Sequence, residues 1–172
     1  MNIFVLDSHP TFAAQMQCDK HVVKMILESA QMLCTAHNVL DGYQKEGFYR
    51  TTHVNHPCNV WIRNSYNNYC WLWLHLRALC KEYTYRYGKV HKCEASGLVD
   101  ALKEPPKSLV GWRGTPFVVA MGNNPECIVK SDPVASYRNY YKTKKDKFKM
   151  VWTKRDVPDW FEEKLDKVTE SL

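Results

Sequence analysis

His21, Lys24, Glu28, Gln31 and Thr35 recur at three- and four-residue intervals. On a helix that spacing puts side chains on one face, a turn apart. The row then presents an imidazole, an ammonium, a carboxylate and an amide together. Glu28 is the candidate general acid/base, because a carboxylate among polar and charged neighbours can have its proton affinity tuned. Lys24 and Gln31 flank it by one turn, and His21 lies two turns back. The plain alternative is a solvated helix face with an ordinary Lys24–Glu28 pair worth a few tenths of a kcal/mol, roughly. A second polar cluster, Thr51-Thr52-His53-Val54-Asn55-His56-Pro57-Cys58, follows downstream. His53, Asn55 and His56 are candidates to line a pocket with the first row. His53, His56 and Cys58 also have zinc-ligand chemistry, with Cys18 and His21 as possible partners. The local His-x-x-His-x-Cys spacing matches no ligand pattern, so no metal or other cofactor is expected. His56 instead suits the cap of the helix that Pro57 opens.

A third group is electrostatic. Arg138, Lys142, Lys144, Lys145, Lys147, Lys149, Lys154 and Arg155 face only Asp146 in the same stretch, whereas the 172-residue chain as a whole carries a net charge of +6. The surplus therefore sits in one segment, which points to a polyanionic partner. Tyr137, Tyr140, Tyr141, Phe148 and Trp152 are interleaved with these cations, as suits phosphate contacts beside base stacking. The alternatives are a solvated basic tail and aromatics that anchor a core.

The elements that must carry these groups read as mainly helical. Ile3-Phe4-Val5-Leu6 is a strand or extended segment that pins the start of the chain. A helix runs from Thr11 to about Asn38 with a break before Cys18, and Asp41-Gly42 ends it. Its inner stripe is Val22, Met25, Ile26, Ser29, Met32, Leu33 and Ala36. A second long helix is expected from His56-Pro57 to about Tyr87, with Trp61, Ser65, Asn68 or Tyr69, Leu72, Leu76 and Leu79 inward and Gly88 as its stop. Glu94–Lys103 is a short helix candidate. Gly111–Pro116 is a turn, and Phe117–Met121 a strand or buried extended run. Asp132-Pro133 caps a helix to about Lys142. Asp159 to about Val168 is a final short helix.

Hydrophobic residues at 45% and aromatics at 13% suffice for one globular domain over residues 1–172. Seven cysteines, odd in number and irregular in spacing, read as free thiols of a reducing cytoplasm, with Cys34, Cys70 and Cys80 packing as small apolar residues. No run has the length of a membrane span, and the N-terminal residues lack the pattern of an export signal. P-loop, dinucleotide-loop and serine-elbow motifs are absent. The expected fold is a compact, mainly α single domain with two long helices and short extended segments.

One succession of residues carries a resemblance. Asp19, Glu28, Gln31, Met32 and Leu33 lie on the first helix; Asn55-His56-Pro57 and Trp61 follow; Glu82-Tyr83 and Arg86-Tyr87-Gly88 close the aromatic helix. This resembles the pyrimidine-dimer DNA glycosylase superfamily of phage endonuclease V type, over roughly residues 1–90, and is similar to phage proteins of like length. The resemblance implies a helical domain that removes a damaged base. The α-amino group at the chain start attacks the sugar and forms a Schiff base, a helix-borne Glu assists, and a His seven residues earlier shapes the site. His21 and Glu28 keep that interval. A free α-amine titrates at about pH 8, so a fraction is nucleophilic at neutrality. Asn2 and Ile3 stand where the type has a small residue followed by Arg, and Leu27 where it has Arg before the Glu. Asn2 disfavours removal of Met1, so the amine is placed at Met1 or Asn2.

The function expected is a DNA glycosylase or glycosylase/lyase. Glu28 and the amine of Met1 or Asn2 would be catalytic. His21, Lys24, Gln31, His53, Asn55 and His56 would bind substrate, and the cations of residues 138–155 would grip phosphates. Residues 91–172 would form a C-terminal extension. Two alternatives remain open: a non-catalytic protein holding a nucleotide or nucleotide-derived signal in the same pocket, and a nucleosidase acting on a free nucleotide.

Overall fold

The computed structural model describes residues 1–164. Helix α1 spans Pro10–Gln15 and α2 spans Asp19–Asp41. They are separate, with the break before Cys18 that the sequence predicts, because Cys18 takes an extended backbone (φ −69°, ψ 162°). Helix α3 covers Pro57–Asn64 and α4 Tyr66–Tyr87. Two single turns follow, α5 (Lys92–Ala95) and α6 (Leu98–Ala101), then α7 (Pro133–Lys142). No strand is present among the described residues. Residues 117–121 form an irregular buried or half-buried run rather than a strand, and residues 3–6 turn at Phe4 (φ 39°), with Leu6 N donating to Phe4 O at 2.8 Å.

Three sequence expectations need correction. The helix predicted from His56 to Tyr87 is two helices, because Ser65 turns to an extended backbone (φ −155°, ψ 154°) and its hydroxyl caps α4 by accepting from Asn68 N at 3.0 Å. The freed Tyr66 N–H donates to the Gly111 carbonyl, so the break is paired rather than frayed. The helix predicted over Glu94–Lys103 is divided by Gly97 into α5 and α6. The last predicted helix is a single 3-10 turn, Asp159–Glu162, which buries the adjacent Trp160 and Phe161; its predicted remainder lies outside the described residues.

The core is the meeting of α2 and α4, with α1 and α3 also packed on α4. Every residue of the predicted inner stripe of α2 is buried. At about 1.5–3 kcal/mol for each large side chain removed from water, this stripe fixes the helix and leaves Lys24, Glu28 and Gln31 outside the core, whereas His21 and Thr35 of the predicted polar row are themselves buried. Gly42 (φ 78°) and Gly88 (φ 68°) end α2 and α4 in the left-handed conformation that costs glycine least.

The long helices are locked at one corner by a buried ion cluster. Arg86 on α4 bonds Glu82 at 2.9 Å, Asp19 at 3.0 Å and the Gln15 carbonyl at 2.9 Å. Arg155 grips both oxygens of Glu82 at 2.9 and 3.1 Å, and Thr153 donates to Asp19 through its amide and hydroxyl. The cluster joins the start of α2, the end of α4 and the C-terminal segment. All seven cysteines are free, and Cys34 and Cys80 are buried as expected while Cys70 is half-buried.

Candidate active site

The first residues are folded under α2 by their own side chains. Asn2 accepts from the amides of Ile3 (2.7 Å) and Phe4 (3.1 Å) and donates to the Ala120 carbonyl at 2.9 Å. This local turn holds Phe4 at φ 39°, a left-handed backbone costly for a bulky residue and stable only where surroundings over-determine it. Here they do, since Ile3, Phe4, Val5 and Leu6 are all buried. The Met1 side chain, 4% exposed, packs against the core, and its sulfur accepts from Asn59 Nδ2 at 3.3 Å. The α-amino group is thereby brought to 4.0 Å from Glu28 Oε2. Lys24 Nζ stands 3.7 Å from Glu28 Oε1. One carboxylate thus lies between two ammonium groups, one set by the N-terminal turn and one by helix spacing.

The second polar cluster arrives at the same place. His56 caps α3, its Nδ1 accepting from Cys58 N at 3.1 Å. That bond leaves the ring proton on Nε2. Burial lowers the His56 pKa, the positive amine and His53 lower it further, and Glu28 opposes them. His53, the amine and Glu28 therefore each act on the His56 ring. His53 is exposed, at φ 48°, and its carbonyl accepts from Asn59 Nδ2 at 2.8 Å. Asn55 is exposed, and Gln31 is half-buried on α2 between Glu28 and Thr35.

His21 sits two turns, about 10 Å, from Glu28 along the axis. It is a wall rather than a neighbour of the carboxylate. Its ring stacks on Phe4 at 4.8 Å, and its Nδ1 lies 2.9 Å from the Tyr141 hydroxyl. That hydroxyl also accepts from Cys18 N at 2.8 Å. Burial, then Lys144, Lys24 and Lys20, push the His21 pKa down to about 4. Lys20 covers the Phe148 ring at 4.5 Å, and Lys144 covers the Tyr140 ring at 4.2 Å.

The cations of the basic segment divide. Arg138 bonds the Leu6 carbonyl at 2.8 Å, pairs with Asp7 at 3.6 Å and covers Trp160. Lys142 is buried, donating to the Lys164 carbonyl, and Arg155 is held by Glu82. Lys154 donates to the Tyr85 carbonyl at 3.2 Å. Lys145, Lys147 and Lys149 are exposed, and Lys144 half-exposed. Sequence reasoning passed over Lys20 and Asn59; Tyr141, read as a stacking group or a core anchor, is fully buried. A polar residue on the buried side of α3 was the available signal for Asn59.

Two open grooves lie elsewhere. One of about 520 Å³ is lined by α1, α4 and Arg155, and one of about 740 Å³ by His37, Asp41, Lys45 and Glu104 among others. The amine and Glu28 line neither, and the Glu28 side chain is 15% exposed. Among the described residues no three His, Cys, Asp or Glu side chains are grouped to hold a metal ion, and no helix is long and apolar enough to cross a membrane.

The family model of pyrimidine dimer DNA glycosylases matches residues 1–95, more than half of the chain. The chain belongs to that family. Membership carries glycosylase-type chemistry on DNA, base excision, at the level of the family. The matched span holds the amine, Glu28, His53 and His56, and it ends before the basic segment. No curated protein and no solved structure matches the chain.

Proposed function

We propose that the protein is a DNA glycosylase/lyase in which the amine of Met1 is the nucleophile and Glu28 moves the protons. The observation that carries this is the 4.0 Å approach of the amine to Glu28, with Lys24 3.7 Å from the same carboxylate. Glu28 takes a proton from the Met1 ammonium, and the neutral amine so formed attacks C1′ of the nucleotide as the glycosidic bond breaks. The bonding pair leaves with the base, which also receives the proton the amine gives up. Glu28 then delivers a proton to the ring oxygen as the sugar opens, leaving a protonated imine between Met1 and C1′. Glu28, again a carboxylate, takes a C2′ proton as the 3′ phosphate leaves, and water releases the sugar fragment from the amine. Burial of the Met1 side chain and its bond from Asn59 favour Met1 over Asn2 as bearer of the amine, since the Asn2 side chain is committed to the turn.

In this reading His56 and His53 border the sugar, and Gln31 and Asn55 are within the same wall. Lys24 balances charge on Glu28, while His21 positions Phe4 and through it the amine. Phosphates are gripped by Lys20, Lys24 and Lys144, with Lys145, Lys147 and Lys149 beyond. Arg138, Lys142, Lys154 and Arg155 hold the fold. The chain is read as one domain, in which residues 91–172 extend a glycosylase-like core of residues 1–90. The bonds Asn2–Ala120, His21–Tyr141 and Asp19–Thr153 support that joining.

The test is Glu28→Gln, which keeps shape and removes proton transfer. It should abolish turnover while leaving affinity for duplex DNA nearly intact. Equal loss of both would remove Glu28 from the chemistry.

A further inference from the structure

The loop 110–113 projects from the junction of α3 and α4. Trp112 is 70% exposed yet ordered against Tyr66, the rings stacked at 4.6 Å and 29°. One face of the indole is covered and the other is open. The loop beneath is rigid: Gly111 O accepts from Tyr66 N, and a Cβ on Gly111 would come within 2.9 Å of Asn64 O. Asn68 clamps Thr115 through its side chain, donating at 2.7 Å and accepting at 3.0 Å. An exposed tryptophan on a fixed support is a stacking surface, not a core residue out of place.

Arg63 lies on the adjacent helix one residue before Asn64. Among the described residues its Nη1 is buried and has no hydrogen-bond partner. Burial alone lowers its pKa, with no anion acting on it. A guanidinium in this condition is costly unless something fills the gap. Arg63 lies on α3 one turn after Asn59, whose amide touches Met1. Arg113 adds an exposed cation beside Trp112. Along α3, therefore, lie in order the amine, Arg63, and the Tyr66–Trp112 stack. The helix is about 12 Å long, the span of three to four nucleotides at about 3.4 Å each.

We propose that the Tyr66–Trp112 stack is a platform for an unpaired base of the strand being repaired, and that Arg63 holds a phosphate between that base and the site at Met1 and Glu28. The proposal rests on the reading of the chain as acting on DNA. It adds a nucleotide-binding subsite whose platform, Trp112, lies outside the family-matched residues.

The experiment measures affinity of the full chain for a duplex carrying a tetrahydrofuran abasic analogue, which binds without turnover. Trp112→Ala should weaken binding about tenfold, the scale of one lost base stack, with the salt slope unchanged. Trp112→Phe should stay within about threefold of the parent, since an aromatic face remains. Arg63→Gln should weaken binding and lower the slope of log K against log salt by about one. Thermal midpoints serve as the folding control. Parent affinity in Trp112→Ala, while the parent chain still forms a borohydride-trapped adduct with abasic DNA, would overturn the platform and leave the glycosylase reading standing. A parent chain that neither binds the analogue nor traps would overturn both.

Discussion

Arg86→Met tests whether the ion cluster, rather than hydrophobic contact alone, fixes α2 against α4. The guanidinium is fully buried and bonds Glu82, whose side chain is 4% exposed, and Asp19, at 18%. Methionine fills much of the volume but leaves two carboxylates short of a cation. Glu82 keeps the bidentate Arg155, and Asp19 keeps the Thr153 amide and hydroxyl, so neither is stranded entirely. The cost should therefore fall at the low end for breaking a buried pair, about 3 kcal/mol. For a chain of this size that is a drop of about 6–12 °C in Tm. Arg155→Met removes a side chain 32% exposed to solvent, where screening reduces the loss to about 1 kcal/mol. Urea unfolding followed by circular dichroism measures both. If Arg155→Met proves as costly as Arg86→Met, the cluster does not work as argued. If both variants unfold with the parent, α2 is held by its apolar stripe alone.

Other outcomes follow from the same structure. His21, His37 and His75 are each depressed to about 4 by burial first of all, Lys45 adding to the shift at His37 and lysines at His21. The unfolded chain then binds more protons than the folded one between pH 6.5 and 4. Stability must fall as pH falls through that window, by up to about 4 kcal/mol per unit if all three act; a urea midpoint equal at pH 7 and pH 5 would contradict the neutral assignments. Lys144→Gln and Lys147→Gln should each lower the salt slope of duplex binding by about one. Lys142→Gln should leave the slope alone and cost stability instead. A lowered slope with an unchanged midpoint in Lys142→Gln would reverse that division.

The stripe of α2 was legible because apolar periodicity and burial are the same physical fact, and the placement of Lys24, Glu28 and Gln31 outside the core followed from it, while the N-terminal segment and Tyr141 bury His21. His56 was legible as a cap because the proline after it fixes the first turn. The break at Ser65 was hidden, since Ser65 fits the inward period of the helix on either side of it. The run Asn64-Ser65-Tyr66-Asn67-Asn68 is rich in side chains that compete for backbone bonds, and this was the only sequence sign of it. Charge counting marked residues 138–155 but could not separate Lys144, beside His21, from Arg155, bound to Glu82, because partners distant in sequence make that difference. The approach of Met1 to Glu28 depends on a turn built by Asn2 and on Asn59, neither of which has a periodic signature.

The most direct measurement is borohydride trapping. The protein is mixed with duplex DNA carrying abasic sites, and separately with ultraviolet-irradiated duplex, then reduced. The account predicts a covalent protein–DNA adduct whose peptide map places the linkage on the Met1 nitrogen, lost when that amine is blocked and in Glu28→Gln. No adduct with either DNA from folded protein, or an adduct mapped to a lysine, would contradict it.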